Sequence, residues 1–88
     1  MKIRVYGSDR CSSCRDWRRT LTQVVDEGDV IEYVDIDKVK GKPTGIPFTE
    51  FIDGDGNVVG SVLGGMSIDI AKRDINIYRQ RCDDKGGA

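Results

Sequence analysis

The chain has no histidine among its 88 residues. That absence removes serine–histidine and cysteine–histidine catalysis, together with every zinc site that needs an imidazole ligand. No apolar run approaches the ~20 residues that span a bilayer. Met1-Lys2-Ile3-Arg4-Val5-Tyr6 places charges inside its apolar stretch, so no signal peptide is expected and the cytoplasm is the default compartment. A strong charge of one sign is also missing. The 14 basic and 15 acidic residues leave a net charge of −1, which argues against a general nucleic-acid binder. Cysteines are few and odd in number, and three cannot all pair within a monomer. In a reducing compartment they are more often catalytic or metal-binding than structural. There is no internal repeat and no low-complexity segment, and the length suits one domain with a thin core.

The charge that is present is unevenly placed. Residues 1–19 hold six basic and two acidic groups, residues 20–57 hold three and nine, and residues 58–88 hold five and four. The basic segment contains both closely spaced cysteines. Lys2–Tyr6 alternates polar and apolar residues and ends at Gly7-Ser8-Asp9, which predicts a strand and a turn. From Ser12 to Glu27 the period changes. Cys14, Trp17, Leu21, Val24 and Val25 fall on one helical stripe, with Gly28 where a left-handed C-terminal cap is wanted. Val30–Ile36 predicts a second strand, parallel to the first through a right-handed crossover. Asp37–Gly45 has Val39 as its sole large apolar residue and is expected to be a loop, or at most a turn of helix.

Phe48–Ile52 and Val58–Leu63 predict two more strands, joined by Asp53-Gly54-Asp55-Gly56-Asn57 as a hairpin. Asp53, Asp55 and Asn57 have the 1-3-5 spacing of a calcium loop. The required Gly and Glu further on are Val58 and Gly64, so the turn reading wins. After Gly64-Gly65, Ser67 is a candidate N-cap for a helix with Ile68, Ala71, Ile75, Tyr78 and Cys82 on its apolar stripe. The domain is expected over residues 1–82, with 83–88 as a flexible C-terminal tail.

Chemistry concentrates at Cys11-Ser12-Ser13-Cys14. Two cysteines three apart at a helix start can close a disulfide with little backbone strain. The unpaired N–H groups and the dipole there favour a thiolate at Cys11. Arg10 and Arg15 push the same way. Cys11 is the candidate nucleophile and Cys14 the resolving thiol. A zinc knuckle would need four ligands, and Cys82 alone is left to help. Trp17 is expected in the core, and Cys82 is expected to be inert. On local sequence alone Pro47 would be trans, since few X-Pro bonds in folded proteins are cis.

The order β-α-β, loop, β-β-α, the C-x-x-C opening the first helix, Ile46-Pro47 before the third strand and Gly64-Gly65 after the fourth together resemble the glutaredoxin family of the thioredoxin superfamily, over about residues 2–80. The resemblance implies an α/β thioredoxin-like fold: a four-stranded mixed sheet in order 2-1-3-4 with helices packed on it, and the second family helix shortened or absent. It implies a cis Pro47 beside the reactive disulfide and an Ile46 backbone that pairs with substrate. It implies dithiol exchange through Cys11 and Cys14 on protein or glutathione mixed disulfides, with no bound cofactor or metal and glutathione as co-substrate. Ser12, Gly65, Met66, Ser67 and Asp69 join Arg10, Ile46 and Pro47 as expected substrate and glutathione contacts. Arg10 is assigned the glycyl carboxylate, with Lys40 or Lys42 as the weaker option, and Asp69 the glutamyl ammonium.

The chain departs from the family at several positions. Ser12-Ser13 replaces Pro and an aromatic, Ser8 stands where a lysine is common, and Ile68 stands where an acidic residue is usual. Implied partners are disulfide-bearing proteins, among them ribonucleotide reductase, and either glutathione or a thioredoxin-type flavoprotein reductase as reductant. Nucleic acid and membrane are not expected partners, and a monomer is expected. The rival of another class is a non-enzymatic binding module, or a cysteine-ligated metal or iron–sulfur protein.

Overall fold

The computed structural model describes residues 1–39 and 45–86. The elements are β1 (Lys2–Gly7), α1 (Ser12–Val24), β2 (Val30–Asp35), a single 3-10 turn (Ile36–Lys38), β3 (Phe48–Ile52), β4 (Val58–Leu63) and α2 (Ile68–Gly86). The strands form one mixed sheet in order β2-β1-β3-β4. β1 runs parallel to β2, with Ile3 opposite Ile31, and antiparallel to β3, with Ile3 opposite Phe51. Among the described residues the molecule is therefore α/β, with a four-stranded mixed sheet and two helices. β2 is followed by a 3-10 turn, capped by the Asp35 carboxylate, which accepts from the Asp37 N–H at 2.9 Å. Among the described residues no helix is long and apolar enough to cross a membrane.

Both helices pack on the sheet face that carries Ile3, Val5 and Phe51. Trp17, Leu21 and Val24 of α1 and Ala71 and Ile75 of α2 complete that core. Each fully buried large side chain contributes roughly 1.5–3 kcal/mol relative to exposure. The Trp17 indole N–H donates to the Thr49 hydroxyl at 2.8 Å, so the largest core side chain buries its polar atom satisfied. Tyr78 of α2 stacks on Phe51 with ring centroids 4.4 Å apart. Its ring also lies over Gly60, where a Cβ would come within 2.1 Å of the tyrosine Cε1. A glycine in β4 is what lets α2 approach so closely.

The opposite sheet face reads differently. Register sets Val34, Tyr6, Phe48 and Leu63 in one row across the four strands, and Glu32, Arg4, Glu50 and Ser61 in the next. Arg4 lies between Glu32 and Glu50, and the Tyr6 hydroxyl donates to Glu50 at 2.9 Å. The hairpin forms at the expected turn. Asp53 Oδ1 accepts from the N–H groups of Asp55 and Asn57, and Gly56 takes φ +88°.

Three expectations are corrected. α1 ends at Val24, not Glu27. The Val25 N–H closes the last helical bond to Leu21, and Val25 itself is extended (φ −80°, ψ 153°). The Asp26 N–H is taken by the Asp29 carboxylate at 2.9 Å, so the chain leaves the helix early. Gly28 accordingly is no left-handed cap, because the described positive-φ glycines are Gly56 and Gly64. α2 also continues past Cys82 to Gly86, into the segment expected to be a tail. The strip from Asp83 onward holds no proline or left-handed glycine before that point, so nothing local stops the helix.

Candidate active site

Cys11 is the N-cap of α1, with an extended backbone (φ −100°, ψ 110°). Its N–H donates to the Ser8 carbonyl at 3.1 Å, and its own carbonyl accepts the first helical bond, from Arg15, at 3.2 Å. The Cys11 sulfur accepts from the Cys14 N–H at 3.2 Å, taking the role that a serine or aspartate oxygen fills at most helix starts. No acidic side chain lies in the first turn. A negative sulfur at this position is thus met by a free N–H and the positive end of the helix dipole.

Cys14 is one turn further on and 1 % exposed, whereas Cys11 is half-buried. Burial pushes the Cys14 thiol up, and so does the hydrogen bond with Cys11; the Ser8 backbone pulls weakly the other way. The pair is therefore asymmetric. The outer cysteine is half-buried at the helix cap, and the inner one is enclosed and disfavoured as a thiolate. Gly7, at the end of β1, is pressed onto the inner sulfur: a Cβ there would lie 3.2 Å from Cys14 Sγ. All three cysteines are free thiols.

The Ile46–Pro47 peptide is cis, as the resemblance implies. Pro47 is buried and Ile46 half-buried. Tyr6 pairs with Phe48, so Pro47 precedes β3 at the end of the sheet where Gly7 meets Cys14. The Pro47 carbonyl accepts from the Gly64 N–H at 2.7 Å, which ties the proline loop to the glycine pair after β4. Gly65 lies against Trp17, with its Cβ position 3.6 Å from the tryptophan Cβ. Met66 packs on the core, and an open groove runs between Gly65-Met66-Ser67 and Ser13, Asp16, Trp17 and Thr20 of α1. Ser67 occupies the N-cap position by its backbone, its carbonyl accepting from the Ala71 N–H at 2.9 Å.

The remaining expected contacts do not converge. Ser12 opens α1 and is exposed. Arg10 is 85 % exposed and is paired with Asp37 at 3.2 Å, towards the β2 edge of the sheet. Asp69 is exposed in the first turn of α2. Lys40 and Lys42 lie outside the described residues. Cys82 belongs to the other end of the sheet. Burial pushes its thiol up; the chain N-terminus opposes this, while Asp53, Asp83 and Asp29 add to it. Among the described residues no group of three or more histidine, cysteine, aspartate or glutamate side chains is placed to hold a metal ion.

Two residues near the site escaped the sequence reading. Arg18 sits over the Tyr33 ring, 4.0 Å from its centroid, and both line a cleft that reaches Cys14. The i, i+4 spacing of Cys14 and Arg18 is a local signal for half of this arrangement, but Tyr33 comes from another strand. No family model matches the chain, and no curated protein matches it.

Proposed function

We propose that the chain is a dithiol thiol–disulfide oxidoreductase with a thioredoxin-like, glutaredoxin-type fold. One observation carries the reading: a half-buried Cys11 sulfur at the cap of α1, hydrogen-bonded by the Cys14 N–H, with the Cys14 thiol buried one turn inside. The Cys11 thiolate attacks one sulfur of a substrate disulfide and expels the other as a thiolate. Cys14 then attacks Cys11, releases the second substrate sulfur and closes the Cys11–Cys14 disulfide. Two electrons pass from the dithiol to the substrate. The cis Pro47 loop beside the pair offers the Ile46 backbone to an extended substrate segment, in the manner of strand addition.

Glutathione is the simplest reductant, entering the groove between Gly65-Met66-Ser67 and α1. A second reading has a specific observation in its favour. Arg10 is paired with Asp37, and Asp69 is not among the residues that line the groove, so a flavoprotein reductase of thioredoxin type would recycle the pair without calling on either. Turnover of a model disulfide is measured with glutathione and glutathione reductase, and in parallel with a thioredoxin-type reductase. Turnover in either arm supports the oxidoreductase, and the faster arm names the reductant. Absence of turnover in both arms contradicts it.

A further inference from the structure

The flank of α1 that faces β2 holds a cleft of about 240 Å³, and Cys14 forms part of its lining. Arg18, one turn beyond Cys14 on the same face of α1, lines the cleft too. Its guanidinium is clamped on the face of Tyr33, 4.0 Å from the ring centroid, and lies 3.7 Å from Asp9. At a partly exposed site such as this a cation on an aromatic face gains about 0.5–1 kcal/mol, which biases Arg18 toward the cleft. The other groups facing Cys14 are Cys11 on its own helix, the Ser8 backbone and Asp9 from the preceding loop, Asp35 and Tyr33 from β2, and Lys38 from the 3-10 turn. Asp35 is engaged by the Asp37 N–H, and Asp9 is 93 % exposed. Arg18 is thus the one clamped cation of the cleft among the described residues.

We propose that Arg18, clamped on Tyr33, is a positioning residue for the resolving step: it favours the Cys14 thiolate at the moment Cys14 attacks Cys11. The inference rests on the dithiol reading and adds a residue to it. The step starts from a mixed disulfide of Cys11 with a substrate sulfur. Cys14 gives its proton to water in the cleft, and its sulfur electron pair forms the bond to Cys11. The bond between Cys11 and the substrate sulfur breaks, its electron pair leaves on that sulfur, and solvent reprotonates it. No further oxidant or reductant is needed.

The size of the effect follows from thiolate chemistry. Burial keeps Cys14 protonated at neutral pH, so resolution draws on a small ionised fraction. Removing the cation lowers that fraction, while the more basic thiolate is a better nucleophile, with a Brønsted slope of about 0.4–0.5. Arg18 is the smallest of the influences named on Cys14, so the ionised fraction falls by less than about tenfold and the step slows by less than about threefold.

The test uses the reduced full chain in a Cys82→Ser background, mixed with an aromatic disulfide reagent whose thiolate is coloured. The first release of colour reports attack by Cys11, and the second, concentration-independent release reports resolution by Cys14. Arg18→Gln is expected to leave the first phase unchanged, to slow the second by less than about threefold at neutral pH, and to displace its pH profile to more alkaline values. Arg18→Lys should restore most of the rate. Tyr33→Leu, which keeps the cation but removes its clamp, should move the profile in the same direction by less. A second phase for Arg18→Gln that superimposes on the parent at every pH overturns the proposal. So does a slowdown that is uniform across pH or is not rescued by lysine, because a structural role would give that pattern. A parent protein with no second phase at all would instead defeat the dithiol reading beneath it.

Discussion

Thr49→Val keeps the shape of a fully buried side chain and removes one oxygen. That oxygen accepts the Trp17 indole N–H at 2.8 Å, between residues that are 0 % and 1 % exposed. With no water within reach of so enclosed a site, the indole donor is left unsatisfied. The cost of such a group is about 1–3 kcal/mol, and the isosteric swap opens no cavity to add to it. For a domain of this size each kcal/mol moves the melting temperature by about 4–8 °C, so the variant should melt roughly 5–20 °C lower. Trp17→Phe alone should also destabilise, through lost volume and an orphaned hydroxyl. In the double variant both polar partners are gone. It should therefore be more stable than the sum of the two single losses by about 1 kcal/mol or more. Circular dichroism during thermal and denaturant unfolding measures all four proteins, since the signal does not depend on tryptophan. A Thr49→Val protein that melts with the parent, or strictly additive losses in the double variant, would refute the argument.

Three further outcomes can be stated. Gly7→Ala introduces a methyl group 3.2 Å from Cys14 Sγ and 3.3 Å from its Cβ, and such overpacking typically costs about 1–3 kcal/mol; an unchanged denaturation midpoint would mean that β1 and α1 can part there freely. Burial opposes ionisation of Asp29, yet the Arg79 guanidinium, the Asp26 backbone and the N-terminal ammonium outweigh it and hold the carboxyl below its usual range. A lowered native value makes this contribution complete above the unfolded value of about 3.9, and lost as pH falls through the native one. Arg79→Met removes the stronger of the two cations on Asp29 and leaves the N-terminal ammonium at 3.5 Å, so it should cost less than the ~3 kcal/mol of an uncompensated buried charge and should flatten the acid limb of the stability profile; equal acid limbs in the two proteins would contradict it. Limited alkylation of the reduced chain at neutral pH should modify Cys11 before Cys14 and Cys82, as read by peptide mass mapping, and prior modification of Cys14 would overturn the assigned roles.

What was legible in the sequence was what local periodicity and turn chemistry encode. Of the stripe, Cys14, Trp17, Leu21 and Val24 are buried, because helical spacing decides which side of α1 meets the sheet, whereas Val25 lies past the helix end and is half-buried. The hairpin was legible because Asp53 can satisfy two following N–H groups from within the turn itself. Legibility failed where partners far apart in the chain compete for a group. The early end of α1 depends on Asp29, which is in turn engaged by Arg79, 50 residues away. The pairing of Arg10 with Asp37 likewise joins two loops brought together by the β1–β2 crossover. Ile68 continues the apolar stripe of α2 in sequence yet is 41 % exposed, since it stands in the first turn, before the helix meets the core at Ala71. At the site the two cysteines and their order were readable from the motif. The clamp of Arg18 on Tyr33 was not, because it needs the register of β2 against β1.

The central claim is that Cys11 attacks and Cys14 resolves. It is tested most directly by presenting the Cys14→Ser chain with a protein disulfide and mapping the adduct by mass spectrometry under non-reducing conditions. Without the buried thiol the exchange should stop at its midpoint, with substrate trapped on Cys11 and released by added thiol. A chain that captures nothing, or that carries its adduct on Cys82, would contradict the claim.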